Sequence, residues 1–380
     1  MSTTRRPRAR TPRGASHVGE RHEALVGPVA HGGHCVTRLE SGRVVFVRHA
    51  LPGERVVLEV TEGTDGDRFW RADAVEVRDA SPDRVVPPCP FAGPGRCGGC
   101  DFQHVDLGRQ RALKAEVVRE QLSRLAHLDV EVTVEPVPGV PPHVDDGLRW
   151  RTRQRFVPLP GGRLGMRKHR SHDVVEVDDC LIAGAPTEHE VRGVTFEVED
   201  DGFWQVHPGA PEVLVEAVLS FLEPQPGESV LDLYAGVGLF ARFVADAVGD
   251  PALVTVVEGD RRACAHAEAN VPGATVLPGD VAAVLAGLPA EPVDLVVLDP
   301  PREGAKRKVV EAVAARRPRA VAYVACDPAA LARDVAILAE HGYGLERLRA
   351  FDLFPMTHHV ECVALLTRGS ADTLRGDDVT

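Results

Sequence analysis

No run of residues in this chain approaches the roughly 20 apolar positions that a membrane-spanning helix needs. The N-terminal MSTTRRPRARTPRGAS is basic but lacks the apolar stretch of a secretory signal. A soluble protein of the cytoplasm is therefore the expectation. Cysteine is scarce as well, with eight in 380 residues, and in a reducing compartment scattered thiols serve as metal ligands, nucleophiles or core fillers rather than as a disulfide framework. No segment repeats at a fixed period. An excess of positive charge is also missing: the net charge is −12, which argues against non-specific nucleic-acid binding by the whole surface.

What charge there is, however, is unevenly spread. Residues 1–60 carry ten arginines against five glutamates. From Arg149 to His172, RWRTRQRFVPLPGGRLGMRKHRSH holds eight Arg or Lys and no acid. Arg149, Arg151, Arg153 and Arg155 alternate, so on a strand all four project from one face and suit a phosphate backbone; the competing reading is a solvated basic strand. Each half of the chain has its own texture. Residues 1–17 read as a disordered basic tail. From 18 to 80, short runs such as RVVFVRHA and ERVVLEV between Gly and Pro turns predict a small β-barrel. Residues 81–195 mix a Pro/Cys/Gly segment, a helix from about Leu107 to Leu125 and the basic strands, which suggests a small central α+β domain. Residues 196–368 alternate apolar strands with helices, the pattern of an α/β domain with a parallel sheet covered on both faces. Residues 369–380 read as a second tail.

In LDLYAGVGLF a strand ending near Asp232 and Tyr234 runs into Gly236 and Gly238 and then a helix, a turn that lets a ligand approach the helix start. Many α/β proteins use glycines only to turn, so the next strand discriminates: it ends in Glu258, placed to accept from ribose hydroxyls. Asp280, after the third strand, is a partner for an adenine amino group. The dinucleotide fingerprint's third glycine is missing and no Walker lysine follows, which disfavours NAD and nucleoside triphosphates. A strand, an Asp, a short glycine turn and an acid about 22 residues later resemble the S-adenosylmethionine site of class I, Rossmann-like methyltransferases.

Two further strands end in polar residues. VDLVVLDPPREG delivers Asp299, AVAYVACDPAA delivers Cys326, and FDLFPMTHHVECVALL places Glu361 at the start of the last strand. Ligands in an open α/β sheet bind outside the carboxyl ends of the strands, so these groups should surround one cavity. A thiol, a methyl donor and a carboxylate together suggest methylation of uracil C5. That carbon is too weak a nucleophile until a thiolate adds at C6 and makes it an enolate carbon. Glu361 is the candidate base that then removes the C5 proton, and Asp299 the group that holds the polar edge of a flipped-out base.

LDLYAGVGLF, LDPPREG, VAYVACDPAALARD and FPMTHHVE, in that order, resemble the motifs of the RNA uracil-5 methyltransferase family of the TrmA/RumA type. The likeness runs from about residue 20 to 367, since the N-terminal barrel with its ALPGERV resembles a TRAM domain, an OB-like RNA-binding module. The resemblance implies Cys326 as nucleophile, Glu361 as general base, Asp299 as the base-contacting acid and Gln205 in DGFWQVHPGA as a cofactor contact. Where family members commonly read Ser-Cys-Asn-Pro this chain has Ala325-Cys326-Asp327-Pro328, and His207 stands where an Asn is usual. Asp327 beside the thiol raises its pKa and retards thiolate formation. RNA is the implied partner, ribosomal RNA favoured and a transfer-RNA uridine-5 methyltransferase the alternative; no membrane and no obligate protein partner are expected.

CPFAGPGRCGGC supplies Cys89, Cys97 and Cys100, and Cys180 in DDCLIA closes a set of four. Spacing alone leaves tetrahedral zinc and a [4Fe–4S] cluster open; the resemblance favours the iron–sulfur cluster, although the first gap is two residues longer than in the family. A radical S-adenosylmethionine enzyme is disfavoured by the spacing. Cys35, Cys264 and Cys362 are assigned to packing. Three other functions compete. An RNA cytosine-5 enzyme resembles a two-thiol pattern, and here the fourth strand offers none. An N-methyltransferase calls for an aromatic residue after Asp-Pro-Pro, where this chain has Arg302. A non-catalytic RNA-binding protein with a decayed methyltransferase fold should have lost the thiol, the base or the glycine turn.

Overall fold

The computed structural model describes residues 14–138 and 146–369. Six strands come first: β1 (Arg21–Leu25), β2 (Val29–Ala30), β3 (His34–Arg38), β4 (Val44–Arg48), β5 (Arg55–Glu62) and β6 (Phe69–Asp79) form one sheet in the order β1-β5-β6-β4-β3-β2. The alternation in RVVFVRHA and ERVVLEV turns Val45, Val47, Val56, Leu58 and Val60 into the core. The Leu25 carbonyl accepts from the Thr37 hydroxyl at 2.7 Å, which draws the end of β1 onto β3 and curls the sheet towards a barrel. Beneath the LPGE turn, the wholly buried Glu54 accepts from Leu51 N–H at 2.8 Å and from Arg84 Nε at 2.6 Å. That pairing is what makes a buried carboxylate tolerable.

The tail expected over 1–17 meets the described residues only at 14–17. Residues 1–13 lie outside the described residues, but Ala15 N–H donates to Asp65 at 2.8 Å and His17 stacks on Trp70 at 4.2 Å, so residues 14–17 belong to the barrel. Of the C-terminal tail expected over 369–380, only Gly369 is described.

Next come α1 (Leu107–Gln121), β7 (Val134–Pro136), β8 (Val157–Leu159), β9 (Arg163–Arg167), β10 (Val174–Val177) and a short hairpin, β11 (Glu190–Val191) with β12 (Val194–Thr195). Strands β8 to β10 form a separate antiparallel sheet. The remainder is α2 (Ala210–Leu222), β13 (Val230–Leu233), α3 (Leu239–Val248), β14 (Val254–Glu258), α4 (Arg261–Asn270), β15 (Thr275–Pro278), α5 (Val281–Gly287), β16 (Leu295–Leu298), α6 (Lys306–Ala315), β17 (Ala320–Ala325), α7 (Pro328–Glu340), β18 (Tyr343–Asp352) and β19 (Glu361–Arg368).

The large sheet has eight strands in the order β15-β14-β13-β16-β17-β19-β18-β7. From β15 to β17 it is parallel; β19 then runs antiparallel between β17 and β18. Alternate residues of each buried strand feed two cores. Val230, Val256, Val297 and Val324 pack with α2 and α3 on one face. Leu231, Leu233, Val296 and Tyr323 pack with α6 and α7 on the other. Burial on both faces explains why these strands read as continuous apolar runs rather than as alternation.

The chain divides into two compact units, residues 1–106 with 157–178, and residues 107–156 with 179–380. In this division the residues of the small central domain expected over 81–195 are shared between the two units. The α1 helix buries Ala115 and Val118 in the second core, and β7 adds to the edge of the large sheet, pairing parallel with β18. Both segments thus satisfy their apolar faces on the α/β unit, while β8 to β10 count with the barrel. Among the described residues no helix is long and apolar enough to cross a membrane.

Candidate active site

At the carboxyl edge of the parallel strands opens a cavity of about 720 Å³. The β13–α3 turn forms one wall. Gly236 and Gly238 adopt φ of 57° and 86°, and Tyr234, with no glycine's freedom, sits at φ 62°. A Cβ on Gly238 would come within 2.9 Å of Val271, so that glycine serves the close packing of α3 against α4, whereas Gly236 lines the cavity. The Gly236 N–H donates to Glu258 Oε2 at 2.9 Å, and Asp260 N–H donates to Oε1 at 2.8 Å. The Glu258 carboxylate at the end of β14 is thereby fixed across the turn. Asp280 also lines the cavity; it caps α5 through Ala283 N–H at 3.0 Å.

Asp232 is not on the wall. It is wholly buried behind the turn, accepting from Ala241 N–H of α3 at 2.9 Å, and burial raises its carboxyl to about 7. From there it anchors the helix start that shapes the turn.

Farther along the edge the cavity is lined by Asp299 after β16, Cys326 after β17 and Glu361 at the start of β19. Ala325 pairs with Cys362 in the antiparallel ladder of β17 and β19, which sets Cys326 and Glu361 opposite one another at the rim. Burial, reinforced by Glu258, pushes Asp299 up to about 7. Burial and then the neighbouring Asp299 raise Glu361 well above the carboxylate range. The Cys326 thiol is pushed up to about 12 by burial first and Glu361 next, with Asp327 adding to the rise and Arg302 opposing it. Asp327 itself caps α7, accepting from Ala330 N–H at 2.8 Å, work that the Asn usual at this position can also do.

Sequence reasoning missed part of the wall. Arg302 was read only as a missing aromatic, yet it lies beside the thiol and its NH2 is 3.4 Å from His359 Nε2. Phe203, 65% exposed although it lines the cavity, and Phe354 are further wall residues; a large exposed aromatic two residues before Gln205, itself on the wall, was the available signal. His207 turns away: it is buried, accepts from Gly209 N–H at 3.1 Å and stacks on Trp150.

Three family models match the chain: tRNA (uracil-5-)-methyltransferase over residues 288–369, the TRAM domain over 15–75 and the methyltransferase small domain over 212–321. An uncharacterized RNA methyltransferase of Streptomyces coelicolor is 45% identical, over 92% of this chain and 93% of that one. A 23S rRNA (uracil(1939)-C(5))-methyltransferase of Shewanella amazonensis is 30% identical, over 85% and 90%. The chain belongs to the RNA uracil-5 methyltransferase family. Its fold matches that of Pyrococcus abyssi tRNA (uracil-54, C5)-methyltransferase in complex with S-adenosyl-L-homocysteine, with TM-score 0.68 at 20% identity, covering 91% of this chain and 100% of that one. The family is S-adenosylmethionine-dependent, and the acid-lined cavity suits a ligand that carries a positive charge.

The basic face expected from the alternating arginines does not form as a strand. Residues 149–156 lie outside the regular strands, because Arg149, at φ 55°, and Arg151 bond through their backbone N–H groups to the Leu181 and Ile182 carbonyls. Arg149 forms an ion pair with Asp179 and donates to the carbonyls of Cys180 and Ala183 at 3.2 Å. Arg153 donates to the Gly202 carbonyl beside Phe203. Arg151 and Arg153 line the cavity, and Arg155 is exposed.

Cys89, Cys97 and Cys100 lie half-buried in one unit and Cys180 half-buried in the other. Gln103 draws two of them together, its amide oxygen accepting from Cys89 N–H at 3.4 Å and its nitrogen reaching Cys100 Sγ at 3.5 Å. Among the described residues no group of three or more His, Cys, Asp or Glu is placed to hold a metal ion. Cys35, Cys264 and Cys362 are buried, as packing residues are.

Proposed function

We propose that the protein methylates uridine at C5 in RNA through a covalent enzyme–base adduct. The observation that carries this reading is the facing pair Cys326 and Glu361 at the rim of a cavity whose other end is the Gly236–Glu258 cradle. Cys326 adds to C6 of a flipped-out uracil while Asp299, holding a proton near neutrality, donates to the polar edge of the base. When bound, S-adenosylmethionine supplies the methyl group to the nucleophilic C5 so created. Glu361 then takes the C5 proton, the C5–H electron pair becomes the C5–C6 double bond, and the C6–S bond breaks to release the thiolate. Cys326 must lose a proton before it adds, and its raised pKa makes that step demanding. Arg302 is the cation in place to favour the thiolate. The β16 edge offers Asp299 but no second thiol, which favours uracil over cytosine.

Ribosomal RNA is the favoured substrate: the Shewanella relative is named for 23S rRNA, and the barrel with its cysteine loop resembles the ribosomal branch of the family. The four cysteines Cys89, Cys97, Cys100 and Cys180 are taken as ligands of a [4Fe–4S] cluster on that resemblance, zinc being the alternative, and the site of action as the cytoplasm. Nucleoside mass spectrometry of rRNA and tRNA fractions, with and without the gene, tests the assignment. One 5-methyluridine should vanish from the rRNA fraction on deletion. Loss from tRNA would reassign the substrate, and no loss from either would refute the activity.

A further inference from the structure

The loop from Asp352 to Glu361 carries two cavity residues, Phe354 and His359, and ends on Glu361 itself. Its backbone is not self-supporting. Met356 is held at φ 66° although it is not a glycine, and it is 4% exposed, a conformation that persists only where surroundings impose it. What imposes it comes from α1. Gln110 and Lys114, one helical turn apart on a single face, are 0% and 1% exposed. The Gln110 carbonyl oxygen accepts from Met356 N–H at 2.8 Å, and its amide nitrogen reaches Met356 Sδ at 3.4 Å. Lys114 Nζ pairs with Asp352 Oδ1 at 2.5 Å and donates to the Phe354 carbonyl at 3.0 Å. Pro355 and Met356 also close on Gly147, where a Cβ would meet them at 3.1 and 3.2 Å.

A buried lysine and a buried glutamine spend their full hydrogen-bonding capacity poorly in an ordinary helix-on-sheet contact, where Leu or Ala suffices. Here both reach one loop, at its entry (Asp352), its first turn (Phe354) and its strained residue (Met356). The loop in turn sets His359 against Arg302 and brings the chain into β19 at Glu361.

We propose that Gln110 and Lys114 are positioning residues for removal of the C5 proton. They act through the loop, fixing the Glu361 carboxylate over C5 of the adduct. In that step the C5–H bond breaks, the proton passes to Glu361, and the electron pair forms the double bond as the thiolate leaves. A base displaced by a fraction of an ångström fails here first, while methyl transfer, which depends on the Gly236–Glu258 side of the cavity, is spared. The inference rests on the proposed covalent mechanism.

The test compares Gln110→Leu with Gln110→Glu, which keeps the acceptor for Met356 N–H at nearly the same size. Gln110→Leu should bind S-adenosylhomocysteine and RNA as the wild type does, lose roughly 10-fold or more in turnover, and accumulate an enzyme–methylated-RNA adduct that survives denaturing electrophoresis. Gln110→Glu should recover most of the lost turnover and show no adduct. Unchanged turnover in a folded Gln110→Leu, or lost turnover without adduct, overturns the proposal. If Gln110→Leu does not fold, the double variant Lys114→Met/Asp352→Asn is judged by the same criteria, and failure of both to bind S-adenosylhomocysteine shows the contacts to be structural and refutes the positioning role. Wild type that forms no 5-methyluridine would instead refute the function. Adduct with Glu361→Gln but none with Gln110→Leu refutes only the positioning role.

Discussion

Cys326 and Glu361 face each other across two strands. The ladder pairs Ala325 of β17 with Cys362 of β19 in antiparallel register, so the residue after the first stands opposite the residue before the second, at the ordinary strand spacing of about 5 Å. One group is assigned to C6 of the uracil and the other to C5, neighbouring atoms of one ring. Backbone hydrogen bonding therefore sets the separation of nucleophile and base, which side-chain flexibility alone could not hold. The same adjacency has a cost, because Glu361, Asp299 and Asp327 all oppose ionisation of the thiol.

Arg302 is the counterweight, and its removal should show in a pH profile. Losing a nearby cation disfavours the thiolate, so the Cys326 pKa, already about 12, rises further. Between about pH 7 and 9 both enzymes lie below that value, and the thiolate fraction falls roughly tenfold per unit of rise at every pH. Arg302→Gln should therefore react more slowly by a constant factor across this range, with Arg302→Lys intermediate. Equal rates for wild type and Arg302→Gln would remove Arg302 from the account.

The arginines of residues 149–155 should separate into two kinds. Arg149→Ala removes the Asp179 ion pair and the carbonyl bonds. Partial exposure limits the loss to on the order of 1 kcal/mol, read as a lower melting temperature. Arg151→Ala and Arg155→Ala should instead weaken RNA binding and flatten its dependence on salt, each phosphate contact contributing roughly 0.7 to 0.9 to the logarithmic slope. A slope unchanged by both would mean that neither side chain meets phosphate.

For the cysteine set, protein purified without oxygen should be brown, with broad absorption near about 400 nm from thiolate-bound iron. Cys180→Ser should bleach it. Stoichiometric zinc and no iron would contradict the cluster.

The sheet and the cavity were largely legible because strands buried on both faces announce themselves as apolar runs, and a parallel sheet gathers whatever residues follow those runs. Gly236, Glu258, Asp280, Asp299 and Cys326 all sit where that rule puts them. The alternating arginines misled, since a period of two has meaning only on a strand, and backbone bonds to Leu181 and Ile182 hold this segment in another path. The orientation of Asp232 was not legible for a related reason: its position at a strand end is the same whether the side chain faces the ligand or the helix behind it. The role of α1 was invisible, because Gln110 and Lys114 act on a loop some 240 residues away, and no local pattern reports such a contact.

The most direct measurement of the central claim is a trapping assay with RNA carrying 5-fluorouridine at the target position. Fluorine at C5 cannot leave as a proton, so the wild type should stop after methyl transfer as an adduct through Cys326 that survives denaturing electrophoresis. On ordinary RNA, Glu361→Gln should give the same species already methylated, and Cys326→Ala should bind RNA and S-adenosylhomocysteine yet form no adduct on either substrate. Methylation by Cys326→Ala, or no trapping of the wild type on fluorinated RNA that it demonstrably binds, would contradict the covalent mechanism.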